Sequence, residues 1–163
     1  MTLTLPDFPV NLVYADAKQP DNFIQLTTIL PDYLQAQPSG LILYFYPKDN
    51  TAGCSVQAQD FSEHQATFAN LGYQVVGVSR DSIKSHERFI TAKQITFPLI
   101  SDSDETLCRH FGVIGEKMMY GKKVQGVVRS TFIFDKMGTL QQALTNVRAK
   151  GHVESLLTLL QQS

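Results

Sequence analysis

LYFYPKDNTAGCSVQAQDF, residues 43–61, joins an apolar run to a helical one across a short polar loop. Upstream, GLILYFY (40–46) is a continuous apolar and aromatic run, as expected for a strand buried on both faces. Downstream, residues 52–71 read as a helix. Cys54, Ala58, Phe61 and Phe68 fall on one helical stripe, and Gly72 is a natural stop. The strand therefore ends at Pro47, and Cys54 stands at the entrance of the next helix.

Outward from this stretch, strands and helices alternate. YQVVGVS (73–79) reads as a second strand. Ser82 or Asp81 caps a helix running to about Gln94, with Ile83, Phe89 and Ile90 turned inward. FPLIS (97–101) is a third strand. Asp102 to Asp104 opens a short helix whose apolar face carries Leu107, Cys108 and Phe111. VVRSTFIFD (127–135) is a fourth strand, Asp135 to Gly138 a turn, and LQQALTNV (140–147) its hairpin partner. A final helix covers roughly 150–161, with Val153, Leu156, Leu157 and Leu160 as its buried stripe. The first forty residues are less patterned. Residues 11–15 suit an early strand, and 27–35 a short helix capped by Thr27 or Thr28 and limited by Pro31. The expected fold class is α/β, with right-handed crossovers around a central mixed sheet flanked by helices. The terminal hairpin followed by a helix suits a thioredoxin-like sandwich better than a fully parallel doubly wound sheet.

At 163 residues, the chain fits a single domain, 1–163. Fourteen basic and fifteen acidic side chains give a net charge of −1, which argues against nucleic acid as a partner. The basic piece GKK (121–123) reads as a solvated loop. The N-terminal stretch lacks the pattern of a signal peptide, and no run reaches transmembrane length, so no membrane association is expected. Two cysteines do not make a disulfide framework, and a reducing cytoplasmic location is the expectation.

The chemistry of the opening stretch turns on its thiol. A thiol is a nucleophile only as thiolate, and a free cysteine, with a pKa of about 8.5, is mostly protonated at neutral pH. The unpaired N–H groups and macrodipole of a helix N-terminus favour negative charge, and a neighbouring cation adds to this. Thr51 can place a hydroxyl beside the sulfur, and Pro47 fixes the chain leaving the strand. Spacing alone allows two readings. Cys54 shares a stripe with Phe61 and Phe68, so it is either a small buried hydrophobe or an activated nucleophile. Thr51 could equally be a plain helix cap.

Pro47, Thr51 and Cys54 match the P-x-x-x-T-x-x-C signature of peroxiredoxins, and YFYPKDNTAGC resembles the YFYPKDxTPGC segment of the peroxiredoxin Q (bacterioferritin comigratory protein) group. GVIGEKMMYGKKVQGVVRSTFIFD (112–135) is similar to a second block of that group, and AKGHVESLL (149–157) to a third. The resemblance runs from about Leu41 to the end; the first forty residues do not show the usual family opening. It implies a thioredoxin-like fold, no cofactor, a monomer, and a thiol-dependent peroxidase acting on hydrogen peroxide and organic hydroperoxides. By this resemblance Cys54 is the peroxidatic cysteine, oxidised to a sulfenic acid. Thr51 hydrogen-bonds peroxide and thiolate, Arg129 stabilises negative charge, Pro47 shields the pocket, and the Gly53 and Cys54 N–H groups complete the donors. Arg129, read from its strand pattern alone, would be a solvent-facing residue.

Two departures bear on turnover. Many members of the group carry a resolving cysteine five residues after the peroxidatic one, where this chain has Gln59. Cys108 is the internal alternative, although by pattern it is a packed core cysteine. An external thiol (thioredoxin, glutaredoxin or glutathione) closing a one-cysteine cycle is the favoured expectation, with a Cys54–Cys108 disulfide as the rival. Ala52 and Ile114 replace a proline and a tryptophan common in the group, the latter expected to alter the pocket wall. His64, His86, His110 and His152 show no metal-ligand spacing, so no metal is expected. No CxxC pair is present, and GVIGEK lacks the third glycine of a dinucleotide fingerprint. A reading from another class is a thioredoxin-fold binding or chaperone-like module in which Cys54 is only structural.

Overall fold

The computed structural model describes residues 3–19, 21–37 and 39–162, the side chains of Lys117 and Met119 aside. In chain order the elements are β1 (Val10–Ala15), β2 (Phe23–Thr28), α1 (Leu30–Ala36), β3 (Gly40–Phe45), α2 (Ala52–Glu63), α3 (Gln65–Asn70), β4 (Tyr73–Ser79) and α4 (Ile83–Lys93). There follow β5 (Leu99–Ser101), α5 (Thr106–His110), β6 (Ile114–Met119), β7 (Lys122–Val127), β8 (Ser130–Phe134), β9 (Leu140–Leu144) and α6 (His152–Gln161). Among the described residues, seven strands form one mixed sheet in the order β2-β1-β5-β4-β3-β8-β9, and β6 and β7 form a separate hairpin. The expected mixed sheet flanked by helices is what the chain builds.

Every residue of β3 is buried, as the continuous apolar run requires. Side chains alternate across a strand, so one strand serves two cores. Leu41, Leu43 and Phe45 face a cluster containing Leu30, Leu34, Leu107, Cys108 and Phe132. Ile42 and Tyr44 face another containing Cys54, Phe61, Phe68, Phe89, Val153 and Leu156. The Tyr44 ring stacks on Phe61 at 4.5 Å between centroids and docks α2 on the sheet. It lies over Gly77 of β4, where a Cβ would come within 2.9 Å of the ring; no larger residue fits there. Burying a phenylalanine such as Phe61 contributes about 1.5–3 kcal/mol, and this packing holds α2 against the sheet.

Several local expectations are corrected. The helix expected over 52–71 is broken at His64, whose φ of −102° and ψ of 11° leave the helical region, although Cys54, Ala58, Phe61 and Phe68 all stay buried. Thr27 and Thr28 cap no helix: they end β2, which pairs with β1, and α1 starts after Ile29 with Pro31 in its first turn, where a missing N–H is harmless. The strand expected over 127–135 is two strands, because the chain leaves the β6–β7 hairpin at Val127 and enters the main sheet at Ser130. GKK does not form a loop. Gly121 lies in the turn, and the exposed Lys122 and Lys123 open β7. Tyr120 and Gly121, at φ 52° and 78°, make the two-residue turn of this hairpin, with positive φ at both central positions. The strand expected over 97–101 shortens to Leu99–Ser101, and α5 begins at Thr106 rather than at Asp102. Ser82, not Asp81, caps α4, its Oγ accepting the Ser85 N–H at 3.1 Å.

Candidate active site

The thiol of Cys54 is the third residue of α2, in the turn whose N–H groups lack helical acceptors. The helix has no acidic residue in this turn that would compete for those donors. Cys54 is 2% exposed, so water screens its neighbours poorly. Thr51 is the N-cap by backbone geometry, yet its hydroxyl makes no capping bond. It donates instead to the Lys48 carbonyl at 2.8 Å, which leaves its oxygen free to accept. Pro47, half-buried, follows Tyr46, whose N–H still pairs with the Val78 carbonyl at 3.0 Å.

Arg129 arrives from the other side. In β8, Ser130 pairs with Phe45, so Arg129, one residue earlier, stands beside the end of β3 where the Pro47 loop begins. Its carbonyl accepts the Val147 N–H at 2.9 Å, which pins its backbone. Its Nη2 reaches Cys54 Sγ at 3.4 Å. A Cβ on Gly53 would stand 3.3 Å from the same Nη2, so the glycine leaves room for the guanidinium to approach. The expectation of a solvent-facing strand residue is corrected: Arg129 is partly buried, lies between strands, and contacts the sulfur.

The sequence pattern did not point to Gln57. Fully buried, it sits one helical turn beyond Cys54, and its Oε1 accepts from Arg129 Nη1 at 2.6 Å. The guanidinium thus spans two residues of one helix face, three apart, and that spacing was the available signal. The Arg129 donor fixes the amide orientation, with Nε2 turned away. Both Gln57 Nε2 and the Tyr44 hydroxyl are buried without a protein partner. Burial first, then the nearby Cys54 and Asp49, push the Tyr44 phenol well above its ordinary range, so it remains a neutral donor. His152, whose Nε2 lies 2.9 Å from Thr131 Oγ1, is pushed down to about 4 by burial and, secondarily, by Arg129.

Cys108 is not brought to this site. It belongs to the cluster on the opposite face of the sheet, with Leu43 and Phe45. The Asp102 carboxylate accepts the N–H groups of Leu107 and Cys108 at 2.9 and 2.8 Å. Burial, and then Asp102, push the Cys108 thiol up. Gln59 is exposed, away from the Cys54 stripe. Ile114 packs with the Cys108 cluster, so the wall expected of it beside Cys54 is corrected to a contact on the other face. Among the described residues no group of histidine, cysteine or acidic side chains is placed to hold a metal, and no helix is long and apolar enough to cross a membrane.

The arrangement is a thiol at a helix N-terminus with a fixed cation and buried donors around it, suited to nucleophilic attack on a small electrophile whose leaving group gains negative charge. Comparison with known proteins agrees with it. The AhpC/TSA family matches residues 4–143. The chain is 48% identical to a peroxiredoxin Bcp of Xanthomonas campestris pv. campestris over 120 residues, covering 74% of this chain and 75% of that one. It is 40% identical to the Bacillus subtilis peroxiredoxin Bcp over 124 residues, 76% and 79% of the two chains. The solved Xanthomonas campestris peroxiredoxin Q superposes with a TM-score of 0.81 at 40% identity, covering 98% of this chain and 96% of that one. A Xylella fastidiosa PrxQ variant gives 0.83 at 38% identity, over 99% and 94%.

Proposed function

The chain belongs to the AhpC/TSA family and is a thiol-dependent peroxidase, and on that premise we propose that Cys54 is its peroxidatic thiol in a one-cysteine cycle. The observation that carries this reading is the Arg129 Nη2 contact to Cys54 Sγ at 3.4 Å, at the first turn of α2. The thiolate attacks the terminal oxygen of a hydroperoxide. An S–O bond forms and the O–O bond breaks. The leaving oxygen departs with the electron pair and takes up a proton to become water or an alcohol, while Cys54 becomes a sulfenic acid. Charge grows on the leaving oxygen, where Arg129 and the Gly53 and Cys54 N–H groups are at hand as fixed donors. Arginine suits this because it keeps its proton at any working pH. Thr51 accepts a hydrogen bond from the peroxide hydroxyl, and Pro47 keeps water from the loop side.

An external thiol then attacks the sulfenic sulfur and releases water, and a second thiol frees Cys54 and leaves as a disulfide. Thioredoxin, glutaredoxin and glutathione have this chemistry. Two features support the external route: Gln59 faces solvent with no thiol, and the sheet separates the Cys54 and Cys108 clusters. Hydrogen peroxide and organic hydroperoxides are the substrates; alkyl peroxide reduction is described for the similar Xanthomonas campestris protein. The proposed setting is a monomer in a reducing cytoplasm. The test is hydroperoxide consumption with each thiol, wild type against Cys54→Ser, followed by mass spectrometry after one equivalent of peroxide. A trappable sulfenic acid on Cys54 supports the cycle. Loss of two hydrogens with both thiols blocked would replace it by an internal bridge. Thr51→Val should slow the peroxide step by about tenfold, and an unchanged rate would remove Thr51 from the site.

A further inference from the structure

The peroxide reaction, as derived above, makes no use of a second buried polar cluster lying directly behind the active-site loop. Asp49 is in that loop, between Pro47 and Thr51, and His86 is in the first turn of α4. Their side chains are 2% and 0% exposed, and His86 Nδ1 lies 2.7 Å from Asp49 Oδ2. His86 Nε2 lies 2.9 Å from the Ile100 carbonyl. A carbonyl can only accept, so Nε2 carries a hydrogen. Nδ1 and the carboxylate then share one further proton, and the bond persists on whichever side that proton rests. The same carboxylate accepts the Tyr46 hydroxyl at 2.7 Å and the Ser85 hydroxyl at 2.8 Å. The Asp49 backbone N–H donates to Asp81 Oδ2 at 3.0 Å, and that oxygen also accepts the Ser79 hydroxyl at 2.5 Å.

We propose that the Asp49–His86 pair is a positioning device for the peroxidase site: it locks the Pro47–Thr51 loop to α4 and β5, and so holds Thr51 and the first turn of α2 in register with Arg129. The role of the pair in catalysis rests on Cys54 being the peroxidatic thiol, as proposed above. A loop that leaves a sheet toward a helix N-terminus has few backbone partners of its own. Here the Thr51 hydroxyl donates within the loop, to the Lys48 carbonyl, and the Thr51 carbonyl accepts the Ser55 N–H of α2, so neither ties the loop to α4 or β5. Asp49 does, through its N–H and both carboxylate oxygens. Misplacing a reacting group by about 1 Å can cost about a hundredfold in rate, so a loop tether of this kind acts on the chemistry without touching the peroxide. Asp49 and His86 are therefore positioning residues.

The experiment compares two reactions of Cys54 in the full-length protein. Hydrogen peroxide needs the assembled pocket with its donors for the leaving oxygen, whereas iodoacetamide needs the Cys54 thiolate and access to it but none of those donors. Cys108, on the opposite face, serves as an internal report of global folding. In Asp49→Ala the peroxide rate should fall at least about tenfold and Cys54 alkylation should rise at least about threefold, with Cys108 still protected. Asp49→Asn should bring both rates back to within about threefold of wild type, because the asparagine side chain keeps an acceptor for Tyr46 and offers an amide N–H to Nδ1 of neutral His86. Tyr46→Phe, which removes a single hydroxyl, should shift the ratio in the same direction by about two- to threefold. An unchanged ratio of the two rates in folded Asp49→Ala overturns the proposal, as does simultaneous exposure of Cys108. If Asp49→Ala does not fold, an unchanged ratio in Tyr46→Phe overturns it. A wild type unreactive toward peroxide would instead defeat the functional reading, and the alkylation rates would still decide whether the pair holds the loop.

Discussion

Cys54 and Cys108 occupy matching places on opposite faces of one sheet. Each is the third residue of a helix, and each is buried. Their surroundings differ in charge. Cys54 has the Arg129 guanidinium on its sulfur and no acid in its helix turn, whereas Cys108 has the Asp102 carboxylate across its N–H and its thiol. The short helix α5 spends two of its free N–H groups on Asp102, which therefore occupies the place where an anionic sulfur would need donors. Burial and a helix N-terminus thus do not by themselves make a thiol reactive. On the proposed assignment of Cys54 as the peroxidatic thiol, the sign of the charge brought by distant parts of the chain separates the two.

The largest effect expected from this contrast is on the cysteines themselves. Cys54→Ser should abolish hydroperoxide consumption, while Cys108→Ser should leave turnover with an external thiol within about twofold of wild type. Steady-state assays of the two variants check this, and comparable losses in both would erase the distinction. Next comes the cation. Arg129→Ala removes the guanidinium and should slow the reaction of Cys54 with peroxide by about a hundredfold. Stopped-flow measurement at fixed pH gives that rate, and a value close to wild type would mean that charge is not what separates the two thiols.

A smaller effect is expected at Gln57. Gln57→Ala leaves Arg129 Nη1 without its acceptor and frees the guanidinium to turn, for a loss of about tenfold. Stopped-flow rates check this, and a rate close to wild type in Gln57→Ala would mean that the amide does not orient Arg129; Gln57→Glu keeps the acceptor but brings a carboxylate to the face of Cys54, so it should be no faster than alanine. The smallest effects concern stability against pH. The Cys108 thiol is held above its ordinary 9.0 in the folded chain, so its contribution is complete below that pH and is lost as pH rises beyond it. Urea midpoints should fall above pH 9.0 in the wild type and less steeply in Cys108→Ala. His152 has the opposite sign. Its imidazole is lowered from 6.5 to about 4, so its contribution is present above pH 6.5 and is lost as pH falls toward about 4. His152→Gln should flatten that acid slope, and an unchanged slope would show that another group sets it.

Much of this was legible in the sequence where neighbours along the chain decide. The run 40–46, the stripe from Cys54 to Phe68 and the cap at Ser82 are local patterns, and they formed β3, the buried face of α2–α3 and the start of α4. The break at His64 carries no glycine or proline to announce it, and the β6–β7 hairpin carries its signal in the turn Tyr120–Gly121 rather than in strong alternation. Gln57 was readable in principle, at helical spacing from Cys54, but nothing marked it until its partner was known. Asp49 and His86 had no shared signal: they lie in different elements and meet only through the packing of α4 on the sheet.

What the sequence determined alone, then, was the strand ending at Pro47, the helix beginning near Ala52 and a thiol at its third residue. Backbone hydrogen bonding and side-chain periodicity are short-range, and a few neighbours suffice to set them. Tertiary structure decided which charge each thiol meets. The register that places Ser130 opposite Phe45 brings Arg129 to a sulfur 75 residues away, and the packing of α5 on the Leu43 and Phe45 face of β3 puts Cys108 behind the sheet. Strand order and register are settled by burial summed over the whole chain, so the chemistry that depends on them becomes visible only once the core has formed.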